Sequence, residues 1–374
     1  DEDEVLGIHR HKIRLDFTPA LEAEAEAVAA APLADDELRD RGMLGVPDGC
    51  AGAFSIDDPW TRDVDDALLV EALPSGDTVV HVLIADPTAK VAFRSPLGEE
   101  GASRASTLYM PHARVPMFPH VLSEGALSLT DAEPRPMLDF ACTLGPDGAQ
   151  NGLKVRPVMA TLARRMTYDE VDALVRTGDD GTPLSAAVRR LDALATALRN
   201  RRVADGAVLI ERDDFAVKVE DGEVVVRRLA WESPARRLVA EFMVLACTLA
   251  GRFARDNGIP VVYRRQNPPD DRRAAEGLEP GTRAWNFKML RSLRRAEMTT
   301  QPDFHWGLGV VAYTQVTSPL RRFQDFAAHV QIKGFLRTGK APLDAEAVLR
   351  LFGDLEARGD AVVQTEREAK RYYL

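Results

Sequence analysis

Cysteine is nearly absent. Cys50, Cys142 and Cys247 are the whole supply in 374 residues, odd in number, far apart and without a CxxC pair. That excludes a disulfide-stapled scaffold and a cysteine-rich zinc site, and it fits a reducing cytoplasm. Long hydrophobic runs are missing as well: no apolar stretch approaches the roughly 18 residues a membrane-spanning helix needs. The opening Asp1-Glu2-Asp3-Glu4 has the wrong polarity for a signal peptide. A cytoplasmic monomer with no membrane partner is expected. Lysine is scarce, eight of 48 basic residues, and 58 acidic residues leave a formal charge of −10. By itself that charge disfavours a nucleic-acid partner, yet net charge governs solubility and non-specific binding more than one specific site. The many arginines can still line a local positive channel, or simply reflect genome composition.

What is present is globular: 45% hydrophobic and 28% charged residues, in a length that suits one large domain or two moderate ones. Val5 to Ile8 and Ile13 to Phe17 read as short strands. Thr18 to Ala31 reads as a helix, with Thr18 as its cap and Pro19 in its first turn. A second acidic helix is expected over 35–41, and the Gly/Pro-marked stretch 42–52 reads as a boundary. Two segments follow from this, a helical lead-in over 1–50 and a main domain over 51–374. Strands are expected at 53–57, 66–73 and 77–86, a loop-rich stretch over 94–137, and a strand pair over 138–161 turning at Gly145 to Gly148. Helices are read at 168–176, 186–202, 233–257, 285–297, 319–336 and 344–371, with a hairpin around Asp221-Gly222. Strands first and helices later, without βα alternation, indicate an α+β fold.

The sharpest local feature is SIDDPWTRDVDDA, residues 55–67. Asp57 ends one predicted strand and Asp66 opens the next, so the connecting loop gathers Asp57, Asp63, Asp65 and Asp66. Two unit charges 4 Å apart repel by about 4 kcal/mol at an effective dielectric of 20. Converging carboxylates therefore call for exposure, raised pKa values or a divalent cation. An all-oxygen cluster suits Mg²⁺ or Mn²⁺, and Mg²⁺ usually shares its shell with substrate phosphates. A solvated acidic loop with Asp63 or Asp65 capping a turn is the competing reading.

The second feature is TSPLRRFQD, residues 317–325. Ser318-Pro319 predicts a helix start. Arg321 and Arg322 would then sit in the first turn, against the helix dipole, which favours an anion such as a phosphate there. The plainer alternative is an Arg321–Asp325 pair along the helix. His329, one turn further, reads as structural.

Together these segments resemble the catalytic domain of the ribonuclease II and ribonuclease R family. The similarity runs in order from the DxxxxxDxDDA loop through HVLIADPTAKV (81–91), SRASTLYMP (103–111), MTYDEV (166–171), LVAEFMVLA (238–246) and IPVVYR (259–264) to GLGVVAYTQVTSPLRRFQDFAAHV (307–330). The resemblance implies a mixed, mostly antiparallel β core flanked by helices. It also implies Mg²⁺-dependent hydrolysis of single-stranded RNA from the 3′ end to 5′-mononucleotides, with Mn²⁺ as the alternative metal. Carried over by position, Asp57 and Asp66 are metal ligands supported by Asp63, and Asp65 is the carboxylate most directly tied to chemistry. Arg321 contacts the scissile phosphate with Arg322 beside it. Tyr109 stacks on a base near the 3′ end, and Tyr168 and Glu241 shape recognition of the terminal nucleotide and its ribose.

Three departures accompany the likeness. The family often carries OB-fold RNA-binding domains on both sides of this segment, and residues 18–46 resemble a lead-in instead. Ile210 falls where a family aromatic clamps bases. Cys247 and Ala240 replace an Asn and the first of two acids around Glu241. RNA grip is then expected from channel arginines, with Arg264, Arg265, Arg291, Arg294 and Arg295 as candidates. The intact aspartate set argues against a non-catalytic RNA-binding protein on this scaffold. A phosphodiesterase acting on DNA or short oligonucleotides stays open, because the contacts that read a ribose 2′-OH are not visible in sequence.

Overall fold

The computed structural model describes residues 2–178, 180–269 and 275–374. The first segment coils into α1 (Glu2–Arg10) instead of the strand expected at 5–8, and 13–17 forms no strand. The reason is tertiary. Ile8 packs with Val362 and Ala369 of the long last helix, and Arg10 pairs with Glu368 at 2.8 Å. Helix α2 (Pro19–Ala30) starts as expected, the Thr18 side chain accepting from the Leu21 N–H. Helix α3 (Asp35–Arg39) stops early, and Arg41 turns inward to meet Glu37 and Asp86.

Strand β1 (Gly42–Met43) precedes β2 (Ala53–Asp57), β3 (Asp66–Ala72) and β4 (Thr78–Ala85). The stretch expected to be loop holds α4 (Pro96–Arg104), capped by Ser95, a short ladder of β5 (Leu108–Tyr109) with β6 (Arg114–Val115), and a π-helical turn at Val121–Ala126. Next come β7 (Arg135–Leu144), β8 (Gln150–Ala160), β9 (Leu162–Thr167), α5 (Tyr168–Thr177) and α6 (Pro183–Ala204). A separate hairpin of β10 (Asp214–Glu220) and β11 (Glu223–Leu229) is followed by α7 (Pro234–Asp256), β12 (Tyr263–Arg265) and α8 (Arg283–Ser292). Then β13 (Glu297–Thr299), α9 (Phe323–Thr338) and α10 (Ala345–Tyr373) complete the elements that matter here. Glu297, expected in a helix, pairs instead with Arg265 across β12–β13.

The main sheet runs β1-β8-β7-β4-β3-β2-β9, antiparallel except for β1 with β8 and β2 with β9. Strands β2, β3, β4 and β7 read as largely apolar runs because both of their faces are covered. Val80, Val82, Ile84, Leu138 and Phe140 face one core, with Val188 and Leu191 of α6 and Leu238 and Phe242 of α7. Alternate residues Leu69, Leu83, Ala85 and Met137 face the other, with Ala25 of α2, Phe323 and Phe326 of α9 and Phe352 of α10. Helix α2 of the lead-in therefore shares the core of the main domain. No helix among the described residues is long and apolar enough to cross a membrane.

Candidate active site

Strands β2 and β3 end and begin at Asp57 and Asp66, and the loop between them is pinned from three sides. The Val64 N–H donates to Ser128 Oγ at 2.9 Å, Ser128 Oγ donates to the Arg62 carbonyl at 2.9 Å, and Arg165 reaches the Thr61 carbonyl at 3.0 Å. The Asp65 carbonyl accepts from the Ala85 N–H at 2.7 Å, locking the loop to the end of β4. The aspartates are held in place and not loosely solvated.

Opposite them stands the turn before α9, and here the structure corrects the sequence reading. The helix starts at Phe323, not at Pro319. Asp325, fully buried, takes the Ser318 N–H at 2.9 Å and pairs with Arg322 at 2.7 Å. Arg322 is extended (φ −134°, ψ 119°), and residues 321–323 pair with 105–107: the Thr107 N–H donates to the Arg321 carbonyl, and the Phe323 N–H to the Ala105 carbonyl. Both arginines thus precede the first helical residue, with Arg322 at the N-cap position, and neither stands in the first turn. The anticipated Arg321–Asp325 pair is replaced by Arg322–Asp325, and Arg321 turns to the aspartate loop.

There the Arg321 Nε lies 3.2 Å from Asp65 Oδ2, and the other Asp65 oxygen accepts from the Leu320 N–H at 2.9 Å. Burial pushes the Asp65 carboxyl up to about 7, and Arg321 pulls against that shift. Asp57 is pushed up to about 6 by burial, with Asp58 and Asp63 adding to it. Asp66 is raised well above its ordinary value by burial and by the charges of Asp57 and Asp65. Asp63 is differently placed: one oxygen accepts from the Tyr109 hydroxyl at 3.1 Å and the other pairs with Arg114, which also holds Glu124.

Does this donor set suit a divalent cation? Oδ2 of Asp57 is buried without a hydrogen-bond partner among the described residues, and Asp66 repels it nearby. Two crowded, proton-seeking carboxylates of hard oxygen fit Mg²⁺ or Mn²⁺. No group of three or more His, Cys, Asp or Glu side chains among the described residues cages a metal alone. Mg²⁺ in general completes its shell with waters and substrate phosphates. Asp57 and Asp66 would hold the ion. Asp63, with both oxygens engaged, would support them.

Asp57, Asp63, Asp65, Asp66, Tyr109, Tyr168, Arg321 and Arg322 all line one cavity of about 790 Å³. Tyr109 is 37% exposed, its hydroxyl on Asp63 and its N–H on Glu366 of α10 at 2.8 Å, so its ring face is offered to the cavity from two anchors. Tyr168 opens α5 behind a capping box of Thr167 and Glu170, and the Arg236 guanidinium lies 4.1 Å from its ring centre. Glu241 is the exception. It is buried on α7 and paired with Arg202 at 2.5 Å, while Val239 and Met243 face the cavity. The acid foreseen as a ribose contact is a structural ion pair. Sequence reasoning missed Arg114 and Arg236, which brace Asp63 and Asp58. It also missed Trp60, which Arg227 and Lys218 of the hairpin cover. None of these stands in a pattern of its own; only the assembled loop shows them.

Buried aspartates, a fixed arginine and an exposed ring thus share one cleft on an α+β frame. The chain belongs to the RNB domain family, whose model matches residues 51–338. It is 33% identical over 325 residues to an uncharacterized ribonuclease of Synechocystis, covering 86% of this chain and 48% of that protein. It is 32% identical over 345 residues to exoribonuclease 2 of Escherichia coli, covering 82% and 54%. The chain thus spans about half the length of the curated relatives it matches. Its fold follows that of Mycoplasma genitalium RNase R, solved with ribose-methylated single-stranded RNA. The TM-score is 0.85 at 19% identity, over 99% of this chain and 63% of the other.

Proposed function

We propose that this chain is the catalytic unit of a 3′→5′ exoribonuclease that hydrolyses single-stranded RNA to 5′-mononucleotides with Mg²⁺, or Mn²⁺ in its place. The observation that carries the reading is the convergence of Asp57, Asp65, Asp66 and Arg321 on one cavity beside the exposed Tyr109 ring. Kinship with a protein named exoribonuclease 2 supports it. In such a reaction water attacks phosphorus, the P–O3′ bond breaks, and the released nucleotide keeps the phosphate on its 5′ oxygen. A divalent ion held by Asp57 and Asp66 would supply charge neutralisation and an activated water. The chain's own groups do the rest. Arg321, oriented by Asp65, offers a planar, permanently charged fork to the scissile phosphate. Asp65, fixed between the Leu320 N–H and Arg321, is the carboxylate assigned to the chemistry itself. Tyr109 and Tyr168 offer ring surface to the terminal nucleotides, and stacking is tolerant of sequence.

Residues 51–374 form the proposed catalytic unit and 1–50 its lead-in, acting as a monomer in the cytoplasm, in keeping with three free cysteines. The deciding experiment is a gel of 5′-labelled single-stranded RNA with Mg²⁺ or EDTA. A ladder shortening from the 3′ end in Mg²⁺ alone is expected. Internal cuts, or no cleavage, would overturn the reading.

A further inference from the structure

The hairpin β10–β11 stands apart from the main sheet, yet two of its residues, Lys218 and Val219, line the catalytic cavity. It is held there from two sides. The Val219 N–H donates to the Pro111 carbonyl at 2.9 Å, two residues past Tyr109, and the Trp60 ring of the aspartate loop meets the hairpin's cations. The register sets Lys218 opposite Val225 and Arg227 opposite Ala216, so both cations stand on one face of the hairpin.

The two cations differ in what they already hold. Arg227 lies 4.9 Å from the Trp60 ring centre and donates to both oxygens of Glu220 at 2.9 Å. It is paired, and it clasps the hairpin to the ring. Lys218 is half-buried and has neither a hydrogen bond nor an ion pair among the described residues. Its Nζ lies 6.0 Å from the Trp60 ring centre, at the outer edge of a cation–π contact. An ammonium with three donors thus gives up part of its hydration without gaining an acceptor.

The acids of the cavity do not supply one. Asp58 is taken by Arg236, Asp63 and Glu124 by Arg114, and Asp65 by Arg321. The cations that pull hardest on Asp57 and Asp65 are Arg165 and Arg321. An acceptor that enters with the substrate would satisfy Lys218, and an RNA strand brings a charged phosphate with every nucleotide. The scissile phosphate falls to Arg321, on the turn before α9. Lys218 comes from a different wall, between Trp60 and Pro111.

We propose that Lys218 is a substrate-binding residue that takes an RNA backbone phosphate other than the scissile one. Trp60 is the positioning residue that keeps its ammonium in the cavity. This assignment rests on the ribonuclease reading.

Binding of a fluorescein-labelled single-stranded RNA to the full chain in EDTA, titrated with salt, tests the contact without turnover. One phosphate contact contributes about −0.7 to the slope of log K against log salt for a single strand. Lys218→Gln should make the slope shallower by about 0.7 and weaken binding roughly tenfold at low salt, whereas Lys218→Arg should keep the wild-type slope. Lys154→Gln, at an exposed position on β8, removes a charge elsewhere and should change neither. Trp60→Ala should weaken binding in the same direction, which covers the case of a Lys218 variant that fails to fold. Combined with Lys218→Gln it should cost little more, because both act on one contact. An unchanged slope in Lys218→Gln would leave Lys218 as a second clasp for the hairpin and overturn the proposal. Fully additive losses would overturn the part given to Trp60. RNA bound with a slope that depends on Lys218, yet not cut once Mg²⁺ is supplied, would sink the nuclease reading and leave the contact standing.

Discussion

Arg321 and Asp65 stand 3.2 Å apart although 256 residues separate them in the chain. The pair joins the two halves of the proposed site, because the same turn that delivers Arg321 also gives Asp65 the Leu320 N–H. Arg321→Lys should therefore slow single-turnover RNA cleavage by roughly tenfold to a hundredfold while RNA affinity changes little. An ammonium keeps the charge but cannot reproduce the planar fork at phosphate and carboxylate together. Rapid-quench rates beside a binding titration separate the effects. A nearly normal rate would mean that Arg321 serves only to hold Asp65.

Cleavage should stop in EDTA and return with Mg²⁺ or Mn²⁺. Asp66→Asn should raise the Mg²⁺ concentration needed, and Asp65→Asn should abolish turnover while RNA still binds. A second readout avoids reliance on activity: Mg²⁺ should raise the melting temperature of the wild type through linkage, and that of Asp66→Asn much less. Equal thermal shifts in the two proteins would remove Asp66 from the cation site.

The aspartate loop was legible in the sequence because its signal is local: strand, turn residues, strand, with acids at both junctions. The inner strands of the sheet were legible for the same reason, down to Ala53–Asp57 as one strand, whereas the edge strands β1 and β9 were not. The helix start at Ser318-Pro319 was misread because the deciding partners are remote or out of phase. Asp325 takes the Ser318 N–H, and residues 105–107 pair with 321–323. Ala105 even accepts a positive φ of 62° at the end of α4 to make that pairing. Segment 5–8 became helix because α10, more than 350 residues away, provides the face that Ile8 packs on. Glu241 shows the limit of motif transfer. Two residues past Val239 it lies about 200° around α7, on the far side from the cavity, where Arg202 waits.

That placement gives its own prediction. Glu241→Gln should destabilise the protein by about 3 kcal/mol, since it leaves the Arg202 charge buried without its partner. Cleavage of RNA by the folded variant, measured well below its melting temperature, should keep the wild-type KM. A raised KM with unchanged stability would return Glu241 to substrate recognition.

Asp86 offers a test by pH. It is fully buried at the end of β4, paired with Arg41, and 3.2 Å from Lys333 of α9, which also meets Glu37 of α3 at 3.1 Å. The network straps the lead-in to the core, reinforced by Arg337 on Asp36, Glu37 and Asp40. Burial alone would raise the Asp86 carboxyl, but Lys333 and Arg41 outweigh it and hold the group far below the usual carboxylate range. A folded-state pKa below the unfolded value of about 3.9 means that the stabilisation is fully present above roughly pH 5 and is lost as pH falls toward the folded value. Asp86→Asn should therefore cost about 3 kcal/mol or more at pH 7, where it leaves two cations uncompensated. The gap in stability between wild type and variant should narrow as pH drops from 5 to about 2.5. Urea unfolding of both proteins across that range measures it. A gap that stays constant down to pH 2.5 would show that the Asp86 charge contributes nothing to holding the lead-in, and that its packing alone matters.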